Sequence, residues 1–274
     1  MYKIPDFSWT LPAATGDFAA FVKTELLPSI TNVRGSGDSA NPADQHNEYV
    51  LPTASQLASW RTVFQSLLAG AFGPAHIQVR MISSTYNVVQ FLDTPTGRTY
   101  YVLMEGVPGQ IPAPACHPSG VTITDVADPT RRGWGTYAFN AQPLRALSLS
   151  APHPKDDLET ADEAVEAYEA LGARTLLIAG ADRDQNTALA PCEQSRPPRP
   201  FLEADVGHTA ESVFQMAFEE IYSSDASTWH LQFHGNATCQ EDVFLSNGVA
   251  AAPATLHALA ANIKAASMAA AAGG

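Results

Sequence analysis

The sequence lacks several features that would assign a protein to a class at once. No run approaches the roughly 20 consecutive apolar residues that a membrane-spanning helix needs, and the first six residues do not have the pattern of a signal peptide. No G-x-S-x-G element follows a predicted strand, which disfavours a serine hydrolase. We therefore expect a soluble protein, and leave open an extracellular or periplasmic location after removal of a leader.

Basic charge is also scarce. The chain has 15 Lys and Arg against 28 Asp and Glu, which gives a formal net charge of -13. Such a balance argues against binding to nucleic acid or to an anionic membrane surface, although solubility alone also explains it. We expect a small-molecule or peptide-like substrate, any anionic group of which would be held locally by an arginine.

Cysteine is limited to Cys116, Cys192 and Cys239, without C-x-x-C spacing. This number and spacing indicate neither a cysteine zinc site nor a dense disulfide framework. A single disulfide between Cys192 and Cys239 stays open for an exported protein.

The remaining composition indicates a loop-rich globular protein, with 45% hydrophobic residues, 18 Gly and 20 Pro. Residues 1–144 are predicted to form a helical and β-rich extension packed on the core, whose first helix is ended by Pro28. The expected helices cover 18–26 and 53–68, and the expected strands cover 76–82, 87–92 and 98–104.

From residue 145 to 274 strands and helices alternate, which is typical of a sheet covered by helices. We expect strands at 145–150, 174–179, 229–233 and 243–246, and helices at 160–171, 209–222 and 253–272. The sequence therefore predicts an α/β fold, with a mixed central sheet flanked by helices and an N-terminal β-rich extension, forming one compact unit.

Unusual polar residues follow three of these strands, where α/β proteins commonly bind ligands. His153 follows the first, and its flanking residues Pro152 and Pro154 fix an extended backbone. Asp156 and Asp157 come three and four residues later, close enough for one of them to share a metal ion with the histidine. The alternative is that one aspartate caps the next helix and the other is a solvated turn residue.

His234 follows the third strand. In an extended strand His230, Gln232 and His234 share one face. A single strand histidine is usually buried and hydrogen-bonded, and we keep that interpretation for His230. For His234 the pairing with His153 favours a metal ligand.

Further candidates lie in the intervening loops. Asp205 and His208 could orient a ligand, transfer protons or add a third imidazole, or simply cap the helix that follows. Arg183 could hold a substrate carboxylate or an oxyanion, or form a surface salt bridge with Asp182 or Asp184. Arg145 and Asn186 complete the candidate substrate-binding residues.

These motifs, in this order, resemble the zinc carboxypeptidase and poly-gamma-glutamate hydrolase group over about residues 145–270. The segments concerned are His153-Pro-Lys-Asp-Asp157-Leu-Glu-Thr160, Gly180-Ala-Asp-Arg183 and Gln232-Phe-His234-Gly235. The resemblance implies a zinc ion held by His153, Asp157 and His234, and amide hydrolysis by a water activated on the metal. The chain departs from the group in using Asp where Glu is usual, and Glu241 is the only nearby glutamate after His234 that could match the general base.

The sequence thus predicts a metal-dependent hydrolase that cleaves an amide or peptide-like bond, with esters also accessible. Two alternatives stay open. Copper or iron held by the three imidazoles of His153, His208 and His234 would support redox chemistry. A secreted binding protein with structural histidines would have no catalytic metal at all.

Overall fold

The computed structural model describes residues 11–30, 49–83, 85–105, 132–186, 188–191, 201–235, 245–247 and 253–273. The chain divides into two units, Met1–Gly235 and Asn236–Gly274. In the second unit α7 (Ala254–Gly273) is the described helix, one residue displaced from its predicted range. Within the described ranges, no helix is both long and apolar enough to cross a membrane.

The first unit contains a mixed seven-stranded sheet in the order β1-β2-β3-β4-β6-β5-β7. Strands from both sides of residue 144 belong to this one sheet. The predicted mixed sheet flanked by helices is confirmed. The strands are β1 (Ala13–Gly16), β2 (Tyr86–Asp93), β3 (Thr99–Glu105), β4 (Thr136–Asn140), β5 (Leu147–Ala151), β6 (Thr175–Ile178) and β7 (Trp229–Gln232).

Helices cover both faces of the sheet. On one face the core contains side chains of α5 (Thr160–Leu171) and of a helical segment made of α1 (Phe18–Phe21), the π-helical Val22–Leu26 and α2 (Leu27–Ser29). On the other face it contains side chains of α3 (Ala54–Leu68), α4 (Phe72–Ile82) and α6 (Val213–Ser224). The start of α3 is fixed by a local signal, since Thr53 and Gln56 form a capping box there.

The order in which the chain adds strands to the sheet reverses after β5, because β6 lies on one side of β5 and β7 lies on the other. Strands β6 and β7 both pair with β5 in parallel, one on each side. The connection from β5 to β6 runs through α5 on one face, whereas α6 precedes β7 on the opposite face. The carboxyl ends of the three strands therefore meet at one edge, with a crevice at the end of β5 where ligands commonly bind.

The prediction of a strand at 76–82 is wrong, since these residues belong to α4. Residues 77, 79 and 81 are apolar and alternate with polar ones, but Ile77 and Met81 are exposed at 36% and 50%. The buried residues are Ala75, His76, Val79 and Arg80, and their spacings of one, three and four positions are those of a helix face.

Other differences are smaller. Strands β1 and β4 were not predicted, and the N-terminal helix does not end at Pro28 but continues to Ser29, after the π-helical stretch. Helix α6 begins at Val213 with Ser212 as its cap, four residues after the predicted start. The first two residues of the strand expected at 243–246 lie outside the described residues. So does the segment 31–47, whose polar, Gly-, Asn- and Asp-rich composition predicts a loop.

Candidate metal centre

His153 and Asp157 are held together by a single helical turn at the end of β5. The Asp157 N–H donates to the His153 carbonyl oxygen at 2.9 Å, and the Thr160 hydroxyl donates to the Asp157 carbonyl oxygen at 2.7 Å. Both side chains are buried, at 1% and 8% exposure. Glu159, between this turn and α5, adopts a left-handed backbone with φ of 67°, which is strained for a residue with a β-carbon.

His234 meets this pair from the end of β7. The Asp157 Oδ2 atom lies 3.2 Å from His153 Nδ1 and 3.2 Å from His234 Nδ1. Each of the three residues offers one ligand atom within 4.8 Å of the ligand atoms of the other two. The sequence left Asp156 and Asp157 as alternatives, and the structure brings Asp157 between the two histidines.

Two glycines allow the backbone to approach this group closely. A β-carbon at Gly235 would lie 3.2 Å from both the Cα and the Cβ atoms of Asp157. A β-carbon at Gly207 would lie 3.0 Å from His153 Nε2. Because carbon atoms normally keep about 3.5–4.0 Å apart, any larger residue at either position would press on a candidate ligand. Sequence inspection did not single out these glycines for this role.

Asp205 connects His153 to His208. Its Oδ1 atom lies 2.8 Å from His153 Nε2 and 2.9 Å from His208 Nδ1. Burial alone would raise the pKa of Asp205, but hydrogen bonds from His153 and His208 outweigh it and hold that pKa well below its usual range. An ionised Asp205 that accepts from His153 Nε2 fixes the ring and leaves Nδ1 as the lone-pair nitrogen, as in the carboxylate–histidine pairs of many zinc sites.

Arg183 binds the second carboxylate oxygen of Asp157, Oδ1. Its Nη2 donates to Asp157 Oδ1 at 2.9 Å, while its Nε lies 2.8 Å from Asp156 Oδ2 in an ion pair. Asp156 therefore faces Arg183. Asp156 also belongs to a group of carboxylates with Asp182 and Asp184, in which burial raises the pKa of Asp182 to about 6.

His234 lies at the solvent-accessible rim, with 39% of its side chain exposed. Its Nε2 lies 2.9 Å from the Gln232 Oε1 atom, to which it donates. Partial burial lowers the pKa of His234, and the nearby His153 lowers it further. The neutral ring is therefore favoured, with its proton on Nε2 and a lone pair on Nδ1.

In the neutral tautomers that can bind a metal, the ring protons of His153 and His234 point to Asp205 and Gln232. Both Nδ1 lone pairs would then face Asp157 Oδ2, so three electron-rich atoms would face one another. A cation between them removes this repulsion. Donor atoms about 2.0–2.2 Å from a tetrahedral zinc ion lie about 3.3 Å apart, close to the two spacings of 3.2 Å. The residues present therefore fit a zinc ion.

The three imidazoles do not form one group. His208 shares Asp205 with His153, but it does not belong to the group of His153, Asp157 and His234. Its ring instead stacks on Phe201 with centroids 3.6 Å apart. The structure thus separates two candidate groups that have only the His153 ring in common.

The remaining predicted residues lie elsewhere or outside the described ranges. Arg145 precedes β5, at the opposite end of that strand, and donates to the Leu171 carbonyl oxygen. Asn186 is buried and bonds to Glu203 and to the Ala204 N–H, so it supports the loop that carries Asp205. Glu241 and the three cysteines lie outside the described residues.

We compared the chain with models of protein families, with curated proteins and with solved structures. None of the three comparisons finds a match. The resemblance to zinc carboxypeptidases and poly-gamma-glutamate hydrolases therefore rests on the short motifs quoted above.

Proposed function

We propose that the protein is a metal-dependent hydrolase that cleaves an amide or peptide-like bond, with zinc held by His153 Nδ1, Asp157 Oδ2 and His234 Nδ1. The observation that carries this proposal is the meeting of these three lone-pair atoms at the end of β5, with spacings of 3.2 Å. Two imidazoles and one carboxylate are a common ligand set of catalytic zinc, which keeps its fourth position for water or substrate.

The bound ion would supply Lewis acidity and lower the pKa of water towards neutrality. The chain's own residues would hold the geometry. Asp205 fixes the His153 ring through Nε2, and Arg183 fixes Asp157 through Oδ1. Because the Arg183 side chain is also 30% exposed, its guanidinium is accessible to a substrate carboxylate or to the developing oxyanion.

We assign proton transfer to His208. Its Nδ1 is held by Asp205 Oδ1 at 2.9 Å, and 39% of its side chain is exposed. An imidazole can both take a proton from the reacting water and return it to the leaving group. Asp205 is less suited, because it is 4% exposed and already accepts from two rings.

Metal analysis of the purified protein tests the centre. We expect about one equivalent of zinc in the wild type and in the control His257→Ala, which changes an exposed histidine of α7. The double variant His153→Ala, His234→Ala should contain less than a tenth of this amount. Equal metal content in all three proteins would overturn the proposal.

Activity needs a second measurement, with a panel of N-acyl amino acids, dipeptides and matching esters. We expect hydrolysis that is abolished by a chelator and restored by zinc. A copper(II) signal in electron paramagnetic resonance, with no hydrolysis, would instead support the redox alternative. A folded protein without stoichiometric metal would support the non-catalytic binding protein.

A further inference from the structure

A cavity of about 250 Å³ adjoins the candidate metal centre, on the face of the sheet that α6 covers. Two of the residues that line it, Gly207 and Gln232, lie beside the candidate histidine ligands. Gly207 lines it and packs against His153 Nε2, and Gln232 lines it and accepts a hydrogen bond from His234. A group bound here would therefore be within a side chain's length of the metal.

The inner wall of this cavity is apolar. Val206 and Phe214 are 4% and 3% exposed and belong to the hydrophobic core. Phe218 forms a further part of the wall, with its ring centroid 4.3 Å from that of His230. An engineered cavity of about 150 Å³ in another protein holds benzene, so this one has room for an aromatic ring or a long aliphatic group.

The cavity also carries an unsatisfied polar group. Both ring nitrogens of His230 are shielded from solvent, and neither has a hydrogen-bond partner among the described residues. Burial lowers the pKa of His230, so the ring is neutral at pH 7 and offers one donor and one acceptor. A buried polar group without a partner is costly, and a bound molecule can supply that partner.

Charge is absent from the lining. None of the described residues that form the cavity is Asp, Glu, Lys or Arg. A carboxylate placed here would lose its hydration without gaining a counter-ion, which is strongly unfavourable. The cavity therefore disfavours the acidic side chain that the resemblance to poly-gamma-glutamate enzymes would suggest.

We propose that this cavity is the specificity pocket of the enzyme, and that it takes an uncharged substrate side chain with an apolar body and a hydrogen-bonding tip that reaches His230. This inference rests on the proposed zinc centre, from which the scissile amide would extend into the pocket. Phe214, Phe218 and His230 are then the specificity-determining residues.

Hydroxamates provide a direct test, because their head group binds zinc while the attached chain can enter the pocket. We would titrate the zinc-loaded protein with acetohydroxamic acid, 3-phenylpropionohydroxamic acid and succinic monohydroxamic acid by calorimetry. Burial of the phenyl group should make the second compound bind about ten- to a hundredfold tighter than the first. The third, with its carboxylate, should bind no tighter than the first.

Two variants locate the effect. Phe218→Ala should remove most of the advantage of the phenyl compound and leave acetohydroxamic acid binding unchanged, which also shows that the protein is folded. Tyr222→Ala is the matched control, since it removes an exposed aromatic residue of the same helix that does not line the cavity. Two results would overturn the proposal that this cavity is a specificity pocket. One is equal affinity for 3-phenylpropionohydroxamic acid and acetohydroxamic acid, and the other is tightest binding of succinic monohydroxamic acid.

A metal-independent titration separates this inference from the zinc centre. Phenylpropionamide added to the metal-free protein should shift the His230 ring signals saturably in nuclear magnetic resonance spectra. A chain that binds no zinc but shows this shift would contradict the proposed zinc hydrolase and support the pocket as a binding site. If acetohydroxamic acid binds the zinc form and the amide does not shift His230, the pocket fails and the hydrolase stands.

Discussion

Replacing Gly235 by alanine perturbs the candidate zinc centre through a single carbon atom. The new β-carbon would lie 3.2 Å from the Asp157 Cα and Cβ atoms and 3.4 Å from Cγ. Asp157 has little room to retreat, because Arg183 binds its Oδ1 and the Thr160 hydroxyl binds its carbonyl oxygen. Reaching an ordinary contact distance requires a shift of about 0.3–0.8 Å.

A displacement of this size is about the tolerance of a metal site, which is about 0.5 Å. We expect the zinc affinity of Gly235→Ala to fall about 10- to 100-fold, as it does when a ligand's supporting contacts are removed. We also expect the free energy of unfolding of the metal-free protein to fall by about 1–3 kcal/mol, the usual cost of overpacking.

The assay is competition for zinc against a chromophoric chelator, with urea unfolding measured in parallel. Gly73→Ala is the control, because a β-carbon at Gly73 meets nothing within 4 Å. This control should keep wild-type zinc affinity and gain up to about 0.5–1 kcal/mol of stability, since alanine favours a helix. Zinc binding by Gly235→Ala within twofold of the wild type would show that Gly235 does not position Asp157.

Three further predictions concern Asp205 and two glutamates. Asp205→Asn removes the negative charge that holds the His153 ring, so zinc affinity in the same competition assay should fall about 10-fold or more; unchanged affinity would exclude this role. Burial raises the pKa of Glu169 from 4.5 to about 7, so its stabilising protonated form is present at low pH and lost as the pH rises through 7. Urea unfolding should therefore show Glu169→Gln more stable than wild type by about 1–2 kcal/mol at pH 8, after allowance for solvent screening, and nearly equal to it at pH 5. Glu159→Gly relieves the left-handed strain and should raise the free energy of unfolding by about 0.5–1 kcal/mol. The control Glu163→Gly, within α5, should lower it by about 1 kcal/mol. Changes of the same sign in the two variants would contradict backbone strain at Glu159.

The C-terminal half of the fold could be predicted from the sequence because its signals are strong and local. Strands β5 and β6 are short apolar runs, and α5 shows a clear apolar face. The pattern at residues 76–82 was ambiguous, since apolar residues at every second position also fit a partly exposed helix. Strand β4 has all five residues buried between two other strands, and such burial depends on partners distant in sequence.

The candidate site, like the fold, could be predicted only in part from the sequence. His153, Asp157 and His234 could be proposed from their places after strands, because parallel strands bring their ends together. The choice of Asp157 over Asp156 depends on the turn geometry between His153 and Asp157, which the spacing alone does not determine. The close approach of Gly207 to His153 and of Gly235 to Asp157 depends on contacts between loops that lie 50 or more residues apart in the chain.

The His153 ring is the common member of the two candidate groups, with Nδ1 facing Asp157 and Nε2 facing Asp205. A neutral imidazole has one lone pair, so it can ligate a metal through one nitrogen only while the other keeps its proton. A neutral His153 ring would therefore hold an ion in one group or the other, and both groups could be filled together only if the ring lost both of its N–H protons. A metal bound through Nδ1 would also fix the His153 proton on Nε2, from which Asp205 accepts a hydrogen bond.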